Sequence, residues 1–173
     1  MRAIIPVAGQ GTRLRPHTHT VPKVLLHVAG KPILGHILDE MIAVGAYKTT
    51  FVVGWMGEMV RAYVEKTYEQ VDAEYVEQQE MLGLGHAIWL ARTTMPDPAE
   101  PVLIVLGDTL FQADLRPVLQ SKVSMIGVKE VGDPRRFGIV ELDGEYILDM
   151  VEKPDQPNSN LAIVGIYYVT RSG

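Results

Sequence analysis

Gly9-Gln10-Gly11-Thr12-Arg13-Leu14-Arg15-Pro16 gathers the residues of this chain best suited to handling an anion. The segment directly follows Ala3 to Val7, an apolar run with the character of a buried strand. Glycines at a strand end let the backbone approach a ligand closely, and successive N–H groups in such a turn make an anion-binding concavity. Arg13 adds a planar donor fork matched to phosphate oxygens. Lys23, held behind Pro22, stands at the far edge of the same loop as a second positive charge. Neither common phosphate loop is present: G-x-x-x-x-G-K-[ST] is absent, and Leu14 occupies the place of the third glycine in G-x-G-x-x-G. On these residues alone, a plain glycine turn with solvated cations fits as well as a phosphate cradle.

Other candidates lie further along. Asp108 follows the fully apolar Val102 to Leu106 and Gly107. A carboxylate at the carboxyl end of a buried strand sits where open α/β sheets bind ligands, and its hard oxygens suit Mg2+ bridging phosphates. A turn or helix-capping aspartate is the competing reading. Gln78 closes a short strand, Ala73 to Glu77, and its amide offers a donor and an acceptor together. Glu152-Lys153 ends another strand-like run and resembles an ordinary solvated pair. His17 and His19 alternate in the loop, but no third ligand has convincing metal spacing. His36 and His86 fall in helical stretches and read as packed or solvated, and the methionines as packing.

The elements that must position these groups alternate between strand and helix. Pro32 to Val44 predicts a helix, with Leu34, Leu38, Met41 and Ile42 on one face and Gly45 as its stop. Thr49 to Val53 predicts a strand, Gly57 to Gln70 an amphipathic helix, and Gly83 opens a third helical stretch. Beyond Asp108 the segments Ser124–Val128, Gly138–Leu142, Ile147–Val151 and Ala162–Val169 predict strands with few helices between. The expected fold is α/β, with a Rossmann-like, mostly parallel mixed sheet flanked by helices.

With 173 residues the chain suffices for one domain and hardly for two. Its formal net charge of −5 argues against a non-specific nucleic-acid binder, which needs a basic surplus. The absence of cysteine excludes disulfides, thiolate zinc sites and a thiol nucleophile, and accords with a cytoplasmic location. No secretion signal is evident, and no apolar run approaches the ~20 residues that span a bilayer.

Gly9-x-Gly11-Thr12-Arg13-Leu14-x-Pro16-x-Thr18, Pro22-Lys23 and Gly30-Lys31-Pro32-Ile33 resemble the opening of the sugar-1-phosphate nucleotidyltransferases, the NDP-sugar pyrophosphorylases. The likeness continues through Glu77-Gln78, Gly83-Leu84-Gly85-His86-Ala87, Leu106-Gly107-Asp108, Phe137-Gly138, Glu152-Lys153-Pro154 and Gly165-Ile166-Tyr167, in order along the chain. It is similar above all to the glucose-1-phosphate thymidylyl- and uridylyltransferases. The resemblance implies transfer of a nucleotidyl group from dTTP or UTP to a sugar 1-phosphate. It implies Mg2+ as cofactor, with Asp108 as metal ligand.

It further implies that Ala8, Gly9, Gly11, Thr12 and Arg13 cradle the triphosphate, with Lys23 adding charge. Gln78 and Gly83 would read the base. Gly138, Glu152, Lys153 and Val164 would form the sugar-phosphate side, and Arg13, Lys23, Asp108 and Lys153 would serve catalysis. Two departures stand out: Thr109 where relatives often carry Asn, and Val164 near a position where some carry Thr. A mannose-1-phosphate guanylyltransferase and an inactive nucleotide-binding subunit of the same fold are the alternatives. The resemblance extends to a homo-oligomer, with no nucleic-acid or membrane partner. Chains of this family are longer, so the expectation is a single domain over residues 1–173, incomplete at its C-terminus.

Overall fold

The computed structural model describes residues 1–97 and 99–170. Strand β1 (Arg2–Pro6) leads through the glycine loop to a two-residue hairpin, β2 (His27–Val28) and β3 (Lys31–Pro32). There follow α1 (Ile33–Ala43), β4 (Lys48–Val53), α2 (Gly57–Thr67), β5 (Asp72–Glu77), α3 (Leu84–Ala91) and β6 (Val102–Val105). The second half holds β7 (Met125–Glu130), β8 (Gly138–Asp143), β9 (Tyr146–Glu152) and β10 (Leu161–Val169).

One mixed sheet runs β5-β4-β1-β6-β10-β8-β9, with β7 also paired to β10. The first four strands are mutually parallel. β10 is antiparallel to β6, β7 and β8, and β8 to β9. The expected α/β architecture is thus present, with the parallel part built from the βα-alternating half of the sequence.

Strand alternation explains the layers. Ala3 and Ile5 of β1 pack with Phe51, Leu103 and the inner residues of α1 and α2: Leu34, Ile37, Leu38, Met41, Val60 and Val64. Ile4, between them in sequence, faces the other way and packs with Val52, Ile104 and Ala87 and Ala91 of α3. Burial on both faces is why β1 and β6 read as nearly continuous apolar runs.

Three local features depart from the expected pattern. The segment Ala8 to Lys23, expected as plain loop, contains the 3-10 turns Thr12–Leu14 and His17–His19. The β2–β3 hairpin turns through Ala29 and Gly30, both at positive φ, and two-residue strands carry too little pattern to be seen. Helix α2 stops at Thr67 rather than Gln70. Tyr68 leaves the helix to bury its ring, and its hydroxyl donates toward Gly35 O and Asp39 Oδ1 at 3.0 and 2.9 Å.

Tyr75 stacks on Phe51, ring centroids 5.4 Å apart, with the Arg61 guanidinium 4.1 Å from its ring centroid. Its hydroxyl is buried and lacks a partner among the described residues. Burial raises its pKa from 10.0 to about 12. The unfolded chain therefore gives up this proton first, and the associated stability is lost as pH rises from 10.0 toward about 12. Tyr75→Phe is expected to stabilise the fold at neutral pH by ~1 kcal/mol, since it removes an unpaired buried hydroxyl. The same change should make the alkaline decline shallower. Urea unfolding at pH 7 and across pH 9 to 12 measures both; an unchanged alkaline slope would exclude Tyr75 from it.

Candidate functional site

A cleft of about 320 Å³ opens at the carboxyl ends of β1, β5 and β6. Its position follows from strand order. The chain adds β4 and β5 on one side of β1, then returns to place β6 on the other, so the connections leaving β1 and β6 diverge.

Two glycines make the divergence possible. Gly107 crosses directly beside the end of β1, where its N–H donates to Pro6 O at 3.2 Å. A Cβ there would lie 2.7 Å from that oxygen and 2.8 Å from Val7 Cγ1. Gly11 stands in the left-handed region, φ +59°, and a Cβ on it would meet Lys23 Cβ and Thr18 Cγ2 at 3.0 Å each. The buried Thr18 hydroxyl donates to Gly11 O at 2.9 Å. The loop is thereby folded back on itself, and Lys23 is delivered to the cleft while Val24 anchors in the core. Lys23 Nζ donates to Asp108 Oδ2 at 2.5 Å, both side chains partly exposed. Charges from the two diverging connections thus meet across the cleft.

On the opposite wall, the Gln78 N–H donates to Val53 O at 2.7 Å, extending the β4–β5 ladder past Glu77. The Gln78 side chain is buried, and its Nε2 lies 3.2 Å from both Gly83 O and His86 Nδ1. Gly83 holds φ +91° immediately before α3, a conformation L side chains rarely adopt. Met81, Leu84 and Ala87 supply apolar surface beside the amide.

Ala8, Gly9, Lys23, Gln78, Gly83 and Asp108 therefore line one cleft, from four separate stretches of chain. Gly11, Thr12 and Arg13 lie in the loop between Gly9 and Lys23, outside that lining, with Thr12 and Arg13 exposed. Gly138, Glu152 and Lys153 meet on the β8–β9 hairpin instead. Gly138 pairs with Glu152 across the ladder, and a Cβ at Gly138 would sit 2.9 Å from Glu152 Oε2. Lys153, at φ +47°, donates its N–H to Phe137 O at 3.0 Å and its Nζ to Glu152 Oε1 at 2.5 Å. Val164 lines a second cavity, of about 620 Å³, together with Thr109, Phe111 and Val128. Its carbonyl accepts from the Thr109 hydroxyl at 3.0 Å, which gives the unusual Thr109 a definite partner.

Sequence reading missed one wall of the cleft and a side-chain contact behind it. The apolar wall of Met81, Leu84 and Ala87 has no periodic pattern of its own, and only the exposed apolar residues before α3 hint at it. His86, expected to be merely packed or solvated, is bonded to Gln78. Among the described residues, no group of three or more His, Cys, Asp or Glu is placed to hold a metal, and Asp108 stands as a single carboxylate.

Comparison with known proteins gives the same picture. A family model described as nucleotidyl transferase matches residues 2–172. The UTP–glucose-1-phosphate uridylyltransferase of Haloferax volcanii is 35% identical, with 98% of this chain and 72% of that protein covered. The glucose-1-phosphate thymidylyltransferase of Streptomyces antibioticus is also 35% identical, and there the chain spans only 49% of the relative's length. A Bacillus anthracis crystal structure assigned as a glucose-1-phosphate thymidylyltransferase, in complex with a sucrose, superposes with a TM-score of 0.89. It is 28% identical, covering 98% of this chain and 71% of that one.

Two glycine substitutions separate architecture from ligand contact. Gly107→Ala should destabilise by ~1–3 kcal/mol, because its Cβ would press on backbone. Gly9→Ala has nothing within 4 Å of the added Cβ and should stay within ~0.5 kcal/mol of the parent. Urea midpoints at constant slope measure the difference; equal midpoints would show that the β1–β6 crossing yields more easily than its geometry implies.

Proposed function

We propose a function from one premise: this chain belongs to the nucleotidyl transferase family. Its reaction is the joining of a nucleoside triphosphate and a sugar 1-phosphate into an NDP-sugar. Glucose 1-phosphate with UTP or dTTP are the proposed substrates, by analogy with what the named relatives act on. The reading is carried by the convergence of Ala8, Gly9, Lys23, Gln78, Gly83 and Asp108 on one cleft at the strand-order reversal.

The chemistry asks little covalent participation of the protein. A phosphate oxygen of the sugar 1-phosphate attacks the α-phosphorus in line. The new P–O bond forms as the α–β bridging bond breaks, and its electron pair leaves on pyrophosphate. Bringing two anions together and stabilising charge on the leaving oxygen are the tasks, so positioning and electrostatics dominate.

In this proposal the turn from Ala8 to Thr12 presents N–H groups to the phosphates, and Arg13 closes over them from the exposed rim. Lys23 exchanges its Asp108 partner for phosphate oxygens. Gln78 and the Gly83 backbone read the base, against the apolar wall of Met81 and Leu84. Glu152 accepts from sugar hydroxyls, and Lys153 contacts the sugar's phosphate, with Gly138 and Val164 shaping that side.

Mg2+ binds chiefly through one or two carboxylates plus substrate phosphates and water. A lone, exposed Asp108 beside the proposed triphosphate position fits that mode and would hold the ion. When bound, Mg2+ supplies charge neutralisation of the phosphates. We extend the proposal to a single domain in a cytoplasmic enzyme; no helix among the described residues is long and apolar enough to cross a membrane.

The test is pyrophosphate release with Mg2+, glucose 1-phosphate and UTP, dTTP, GTP or ATP in turn. Release with UTP or dTTP supports the reading, release only with a purine nucleotide replaces the base assignment, and release with none overturns it. Arg13→Ala and Lys23→Ala should each lower kcat/KM by ~100-fold or more if they stabilise transition-state charge. An unchanged rate removes that residue from the site.

A further inference from the structure

The bond between Gln78 and His86 carries a consequence for specificity. An amide can stand either way round, and its partners decide which. Nε2 of Gln78 has two hydrogens, and two atoms lie 3.2 Å away to take them, Gly83 O and, with the imidazole proton on Nε2, His86 Nδ1. Turning the amide over would set its oxygen against Gly83 O and, while the ring proton is on Nε2, against His86 Nδ1, and both bonds would be lost.

The two partners are not equivalent. Gly83 O can only accept, and its second lone pair takes the Ala87 N–H, also at 3.2 Å. His86 Nδ1 has Gln78 as its protein partner among the described residues. To accept, the imidazole must be neutral with its proton on Nε2. The ring is held for this role from its other neighbours. It stacks on Trp89, centroids 6.0 Å apart and planes 20° apart, and the Arg92 guanidinium caps Trp89 at 3.3 Å from the ring centroid. Arg92 Nη1 also donates to Trp89 O at 2.8 Å.

We infer that His86 is a positioning residue that fixes the orientation of the Gln78 amide, and through it the choice between pyrimidine bases. This rests on the proposed base-reading role of Gln78. Uracil and cytosine differ by exchanging a donor for an acceptor at N3 and an acceptor for a donor at C4. A reader locked in one orientation tells them apart; one free to turn over accommodates both.

The experiment is calorimetric binding of UTP and CTP, with Mg2+, to the full chain and to His86→Phe, Gln78→Ala and the double variant. Phenylalanine keeps a ring against Trp89 while removing the acceptor, and His86→Leu takes its place should that variant fail to fold. His86→Phe is expected to lower the UTP-over-CTP preference by about tenfold, the worth of one hydrogen bond. In the Gln78→Ala background it should change nothing further. A preference untouched by Gln78→Ala, or binding of neither nucleotide, would overturn the base-reading role and this inference with it. A preference that falls with Gln78→Ala but not with His86→Phe overturns the inference alone. So does an equal fall from His86→Phe in both backgrounds.

Discussion

Strand β1 is hydrogen-bonded in parallel on both edges, to β4 and to β6, and the functional geometry depends on that arrangement. Parallel neighbours release their chains at the same end of the sheet. Because the order reverses at β1, the segments leaving it and β6 must part, and the gap between them is the cleft. The constraint is tight where they part. Pro6 O accepts from the Gly107 N–H, and there is no room for a Cβ between them. A backbone contact of this kind holds Asp108 in relation to the glycine loop more firmly than side-chain packing would.

Upon that frame the electrostatics are lightly set. Lys23 and Asp108 are partly exposed, and a pair in such surroundings contributes only ~0–1 kcal/mol. A weak pair suits the proposed opening of the cleft to an anion. Each charge has a partner in the other, and in the proposed reading little is lost when phosphate oxygens take the lysine and free the carboxylate. The surplus of acid over base in the whole chain argues against a general attraction for polyanions.

Much of this was legible from sequence, for identifiable reasons. β1 and β6 carry apolar runs that suit buried strands, β4 is rich in β-branched and aromatic residues, and α1 has its apolar residues on one face. The glycine loop and Asp108 were legible as strand-end positions because each directly follows an apolar run, β1 or β6. Illegible parts depended on long-range contact. No local signal says that Tyr68 will leave α2 for Asp39, or that two residues either side of Ala29-Gly30 will pair. Nor does any say that His86 faces Gln78 rather than solvent, since a helix period places His86 on a face without naming what lies opposite.

The antiparallel half is joined to the cleft by short backbone links. Leu106 N–H donates to Gly165 O at 2.9 Å, and the Thr109 hydroxyl donates to Val164 O at 3.0 Å. Both reach β10 where its register with β7 shifts between Ile163 and Tyr167, and where Gly165 stands at φ +78°. A bulge at that point bends the strand locally. From Ala162, β10 pairs with Ile139 of β8, and Gly138 next to it pairs with Glu152, beside Lys153. The two sides proposed to hold the reacting phosphates are thus related through strand pairing and two hydrogen bonds rather than through a flexible linker. Thr109, which looked from sequence like a simple departure from the family pattern, is one of those two bonds.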